Sequence, residues 1–349
     1  MVQVDLTPDK PFFPGEMIGL LSRTIPSHLP ILLVGKPGHG KTDVVYQAAA
    51  ACDADIITAH PIVDDPVDYK GMPAVIEDQS GSKTATFLPF GNLKNLIDAT
   101  KPTVYFMDDL GQAPKTVQAA AMQLLLARKI NGHHVSDKVT FLAASNRKED
   151  KSGVVGLLEA VKDRFAMICE LETSLADWVK WALDPVNAMP PELVSFIRYM
   201  PEYLSKFKPS KDMVKSPTPR TIAMIGHLMK TGIPKELELR AYCSAAGKEF
   251  ALAFTGFLRV YRDMPDPDAV LMNPSKADIP SETSSLYALC GALSARCSDN
   301  NIERFVTYTN RLPEEFAVMA MRDAVSRNQS VSKTNEFSQW VSDHQDVLI

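Results

Sequence analysis

The feature that most constrains this chain is the run HLPILLVGKPGHGKTDVVYQAAAA. Four apolar residues, Ile31 to Val34, lead into Gly35-x-x-x-x-Gly40-Lys41-Thr42, and an alanine-rich stretch comes directly after. That pattern imposes the order strand, glycine-rich loop, helix. Glycines let backbone N–H groups point inward at phosphate oxygens, so Gly35, Pro37, Gly38, His39, Gly40, Lys41, Thr42 and Asp43 are the expected nucleotide-binding residues. Lys41 would meet the β and γ phosphates of ATP. The Thr42 hydroxyl would meet Mg²⁺, and the helix that begins there would add its positive dipole end.

Beyond the loop the same architecture continues. ADIITAH is a second apolar stretch, TVYFMDDL is strongly strand-like, APKTVQAAAMQLLLARK is strongly helical, and KVTFLAASN is another strand ending in polar residues. Between the second stretch and the third, MPAVIEDQSGSKTATFLPF holds two short β-prone runs around Ser80-Gly81-Ser82, a hairpin insert. Strands alternating with helices predict a parallel sheet covered on both faces. From SLADWVKWALD onward the pattern is helices separated by proline-rich breaks, with no strand. The expected division is an α/β nucleotide-binding domain over 1–172, a helical lid over 173–245 and a C-terminal helical region over 246–349. A further break falls at RDMPDPDAVLMNPSKADIPSE.

In an open α/β sheet, ligands bind at the carboxyl ends of the strands, where VYFMDD would bring its acids beside Lys41. Asp108 suits the Mg²⁺-associated carboxylate. Asp109 suits the group that orients or deprotonates an attacking water. Asn146, closing FLAASN, has an amide that would help place that water.

With these elements in order, and with VKDRF and SPTPRTIAMIGHL beyond them, the sequence resembles AAA+ ATPases, and more narrowly their MoxR branch, over residues 15 to 240. The resemblance implies a P-loop NTPase core of the AAA+ type with a parallel sheet, an all-α lid and a C-terminal helical region. It implies hexameric rings with ATP between protomers, and the remodelling or activation of partner proteins, often ones with von Willebrand factor A domains. Asn146 matches sensor one, Arg164 in DRF the arginine finger, and Arg220 in TPRT sensor two. A guanidinium's fixed fork suits charge on a transferring phosphoryl group. Arg147 is a rival finger.

Two departures stand out. The family has glutamate after the metal aspartate, where this chain has Asp109, shorter by about 1.5 Å. The family's asparagine and arginine after the acidic pair are here Gly111 and Gln112. Slow hydrolysis, and altered coupling to ring contacts, are the expected consequences.

Composition bounds the alternatives. The formal charge of 37 minus 42, or -5, advertises no global basic field, so nucleic acid is an unfavoured partner. The basic stretch KFKPSKDMVKSPTPR and the hairpin insert are what a nucleic-acid motor or restriction-type translocase would use. A slow, ATP-gated scaffold is the other alternative, and a small-molecule kinase lacks a visible acceptor motif. The five cysteines are scattered and lack metal or disulfide spacings. His133-His134 reads as an exposed turn, and Trp178 with Trp181 as packing. No apolar run reaches the ~18 residues of a membrane span and no leader opens the chain, so a cytoplasmic setting away from membranes is expected.

Overall fold

In the computed structural model, residues 10–77, 80–150, 154–210 and 212–344 are described. The chain divides between Glu172 and Thr173 into two compact units. In the first, α1 (Pro14–Thr24) precedes β1 (Ile31–Val34), α2 (Lys41–Ala51), β2 (Asp55–Ala59) and α3 (Pro66–Lys70). The hairpin β3 (Met72–Glu77) and β4 (Lys83–Leu88) comes next, then α4 (Gly91–Ile97), β5 (Thr103–Met107) and α5 (Lys115–Ala127). A small ribbon, β6 (Lys129–Ile130) with β7 (His133–His134), leads to β8 (Val139–Ser145), α6 (Glu159–Lys162) and β9 (Met167–Glu170).

Five strands form one parallel sheet in the order β2-β5-β8-β1-β9. The inner strands are apolar on both faces because helices cover both, and their side chains alternate between two cores. Tyr105, Met107, Phe141 and Ala143 face the core completed by α5, while Val104, Phe106, Leu142 and Ala144 face the one completed by α1 and α2. Register then fixes the site. Val34 pairs with Ser145 and Glu170, and Met107 with Ala143, so the residues after β1, β5 and β8 emerge from one edge.

Two details differ from the sequence reading. β9 was not expected, because its four residues MICE combine a short apolar run with a terminal acid and fall below a periodic signal. His133 and His134 pair with Ile130 and Lys129 rather than sitting in a bare turn, and His133 Nε2 lies 2.9 Å from Phe87 O. The insert is a hairpin, with Gly81 at φ +80°; Asp78 and Gln79 of its expected turn lie outside the described residues. So do residues 1–9, on which the expectation of no leader partly rests, and Lys211 of the basic stretch.

In the second unit the described residues contain helices and no strand: α7 (Leu175–Leu183), α8 (Pro191–Tyr199), α9 (Pro219–Lys230), α10 (Lys235–Ala246), α11 (Lys248–Asp263) and α12 (Pro267–Met272), then α13 (Thr283–Arg296), α14 (Ile302–Thr309), α15 (Glu314–Arg327) and α16 (Asn335–Asp343). Several of the prolines read as breaks instead begin helices: Pro191, Pro219 and Pro267 occupy first-turn positions, where the missing N–H is harmless. One aromatic core crosses the expected division at 245 and 246, with Tyr242 on one side and Phe250, Phe254 and Phe257 on the other. A second core gathers α12 to α16, including Phe316, Ala320 and Ala324 with Met319 against it. Trp178 is buried and its ring centroid lies 6.3 Å from that of Trp181, within the first of these cores.

No helix among the described residues is long and apolar enough to cross a membrane.

Candidate functional site

The loop after β1 turns tightly because its glycines permit it. Gly38 and Gly40 hold φ of +76° and +80°, and a Cβ on Gly35 would lie 2.7 Å from the backbone oxygen of Leu171. α2 begins at Lys41, whose side chain folds back into the loop and is only 6% exposed. Its ammonium donates to Gly35 O at 2.9 Å, Lys36 O at 3.0 Å and Asn146 Oδ1 at 2.7 Å. Asn146 in turn donates from Nδ2 to Asp109 Oδ1 at 3.0 Å. A relay of Lys41, Asn146 and Asp109 therefore joins the ends of three neighbouring strands.

Beside it, Thr42 donates its hydroxyl to Asp108 Oδ2 at 2.8 Å, and Asp108 Oδ1 accepts from the Asp109 backbone N–H at 3.0 Å. A hydroxyl and a carboxylate are the hard oxygen donors that suit Mg²⁺, which takes few protein ligands and keeps its waters. Asp109 itself sits in the left-handed region at φ +55°, uncommon for a residue with a side chain. Pro37 is half-buried in the loop, and Asp43 is exposed in the first turn of α2.

His39 is 3% exposed, and its Nδ1 lies 3.4 Å from Glu172 Oε1. Burial pushes its pKa down to about 4, against the pull of Glu172, while Lys36, Lys41 and Arg147 add repulsion. The ring is neutral at pH 7. Lys36 Nζ reaches the other Glu172 oxygen at 3.2 Å. Sequence reasoning missed this clamp: Glu172 is 136 residues from Lys36, and no local pattern marks it.

The arginines divide. Arg147 is held by Asp150 at 2.9 and 3.0 Å, by Glu170 at 2.8 Å and by Glu149 at 3.3 Å, and these carboxylates, Asp150 foremost, hold its pKa above the usual range. Arg164 follows α6 and pairs with the exposed Asp163, while its buried Nε has no hydrogen-bond partner among the described residues. Arg220 belongs to the other unit, exposed in the first turn of α9 behind the Thr218 cap. The basic stretch around it is partly spent internally: Lys206 and Lys208 both pair with Glu249, at 3.0 and 3.7 Å.

A five-stranded parallel sheet whose first strand enters a glycine loop with a buried lysine, beside a strand ending in paired acids, is a P-loop nucleotide-binding fold of the AAA+ type. Residues 31–173 match the family described as "ATPase family associated with various cellular activities (AAA)", so this segment is an AAA ATPase domain and a nucleotide-binding one. A search of curated proteins gave no match. Among solved structures, RuvB of Thermotoga maritima, titled a Holliday junction branch migration motor, is 14% identical with a TM-score of 0.39, covering 80% of each chain. NtrX of Brucella abortus in complex with ADP is 12% identical with a TM-score of 0.41, covering 96% of this chain and 68% of that one.

Proposed function

We propose that this protein binds and hydrolyses Mg²⁺-ATP at the strand ends of its AAA domain, and that it works in the cytoplasm as a MoxR-like ring, hexameric by family resemblance. The observation that carries this reading is the relay of Lys41, Asn146 and Asp109 beside the Thr42–Asp108 pair. Lys41 and the loop N–H groups bind the phosphates. Thr42 and Asp108 would hold Mg²⁺, which would neutralise charge on the phosphates. Asp109 orients the attacking water and Asn146 fixes it. Asp109 is shorter than glutamate by about 1.5 Å, and a misplacement of ~1 Å costs on the order of 10²-fold, so turnover is slow.

Arg164 supplies the finger to a neighbour's γ phosphate in this reading, and Arg220 supplies sensor two. The firm hold of three carboxylates on Arg147 supports Arg164 over its rival. The client is a partner protein, of the von Willebrand factor A type by resemblance. A nucleic-acid motor is disfavoured by the net charge of -5 and by the internal pairing of Lys206 and Lys208.

The test is ATP turnover per protomer as protein concentration rises, in the wild type and Arg164→Ala. A shared site gives a rise to a plateau that the variant lacks. Turnover independent of concentration in both would overturn the ring, and equal turnover of the two at every concentration would remove Arg164 from the site.

A further inference from the structure

The two departures from the AAA+ pattern lie on one turn, and the geometry joins them. After β5 the left-handed Asp109 folds residues Leu110–Gln112 back into a short 3-10 turn, with Gln112 N donating to Asp109 O at 2.9 Å. Gly111 is pressed against the end of β8: a Cβ there would lie 2.1 Å from Ser145 Oγ, whose hydroxyl donates to Asn146 O at 2.9 Å. From the other side Val155 N and Gly156 N both donate to Gly111 O, at 3.1 and 3.3 Å. A side chain at 111 would have to displace the Ser145 hydroxyl from Asn146 O or lift the turn off the strand. Seated as it is, the turn brings Gln112 Nε2 to 3.3 Å from Asp109 Oδ1, the same oxygen that accepts from Asn146 at 3.0 Å.

We infer that Gln112 is a positioning residue for the hydrolytic step, holding the short carboxylate of Asp109 in its aim together with Asn146, and that Gly111 is what lets the turn seat closely enough for this. The inference rests on the reading of Asp109 as the water-orienting acid. Two donors from separate elements converge on one oxygen, which removes rotational freedom that a single donor leaves. The donor's charge matters as much as its place. A neutral amide orients a carboxylate without cancelling its charge, whereas a guanidinium at 112 would pair with it and weaken it as a base. The short acid and its unusual neighbours thus act as one unit: what Asp109 lacks in reach, the turn supplies in fixity.

The test is steady-state ATP hydrolysis by the full chain carrying Gln112→Ala, in the wild-type and the Asp109→Glu backgrounds, with ADP affinity and melting temperature measured alongside. In the wild-type background kcat falls by about tenfold or more, as for other misplaced catalytic groups, while KM and ADP affinity stay within about twofold. Gln112→Glu, which keeps the shape but loses the donor, falls at least as far. In the Asp109→Glu background the same Gln112→Ala change costs less than about twofold, because the longer carboxylate no longer ends at that donor. An equal loss in both backgrounds, a loss of ADP affinity matching the loss of kcat, or no loss at all would each overturn the inference. A wild-type chain that binds ATP and turns over no faster than Asp109→Asn would instead overturn the hydrolytic reading, and the inference with it.

Discussion

Lys41 in the first unit and Asp323 in the second are both buried charged side chains, and they are held in opposite ways. At the strand ends of the AAA domain, the buried Lys41 ammonium donates to two backbone carbonyls and to the amide of Asn146, which in turn donates to the carboxylate of Asp109. In the helical unit, Asp323, 4% exposed on α15, accepts directly from Arg198 of α8, while Arg198 Nη1 and Arg327 Nε are buried without hydrogen-bond partners among the described residues. Contact pairing cancels charge where it stands and ties two helices together. Spacing the charges with neutral dipoles keeps the lysine's field available to a polyanion. The first is a cross-link, the second a preorganised site.

The comparison breaks first, and by the largest amount, at Asp323. Asp323→Ala leaves the Arg198 guanidinium buried without its partner, and removing one member of a buried pair costs about 3–5 kcal/mol. Chemical denaturation reads this as a lower midpoint for the helical unit, and adding Arg198→Met restores part of it. A loss below about 1 kcal/mol would mean that water reaches the pair and that the contrast is false.

Lys41→Ala is the complementary test, with the cost appearing in catalysis rather than in folding. Loss of one preorganised donor at the reacting phosphates lowers kcat by about 10²–10³-fold, or about 3–4 kcal/mol. The melting temperature moves little, because the acceptors left behind are backbone carbonyls and an amide beside a loop. If stability fell as far as activity, Lys41 would be another cross-link.

How much of this was legible in the sequence depends on the range of the signal. The loop, Asp108, Asp109 and Asn146 were readable because each ends an apolar strand, and β1, β5 and β8 are buried on both faces. The helical content beyond Thr173 was readable for the same periodic reason. Glu172 and Ser145 were not, because their roles come from contacts across the sheet edge rather than from spacing, and Gln112 stood out in the sequence only as a departure whose contact with Asp109 the turn reveals. β9 was lost because four residues carry too little pattern. The crossing of residues 245 and 246 by one aromatic core was hidden because a glycine between two helices looks the same whether or not their side chains share a core.

His39 sharpens the comparison from within the loop. Its ring is held neutral by burial, with a pKa pushed down to about 4, whereas an unfolded chain binds that proton near 6.5. Between those two values the unfolded state carries the proton and the folded state does not, so stability is full above about pH 6.5 and falls as the pH falls towards 4. The whole loss is about 3 kcal/mol by linkage. Urea midpoints at pH 7.5, 5.5 and 4.5 check it: the wild type declines across the window and His39→Gln declines less. Parallel curves for the two would assign the decline to other groups.

The smallest effect separates the two kinds of pairing most finely. Lys36 and Glu172 are in contact at 3.2 Å, yet their side chains are 30% and 29% exposed, so the pair is screened and worth at most about 1 kcal/mol. Unlike Asp323, Glu172 holds its cation loosely, at the rim of a loop built for phosphate. Glu172→Gln therefore releases Lys36 towards the nucleotide and removes a negative charge from its surroundings. ADP affinity should rise by about twofold to fivefold at low ionic strength, the equivalent of that pairing energy. The gain should vanish near 1 M salt, where the Debye length is about 3 Å. Lys36→Met should abolish it as well. A fall in affinity would show that Glu172 shapes the loop rather than restrains its charge, and that the rim of this site is built on contact pairing after all.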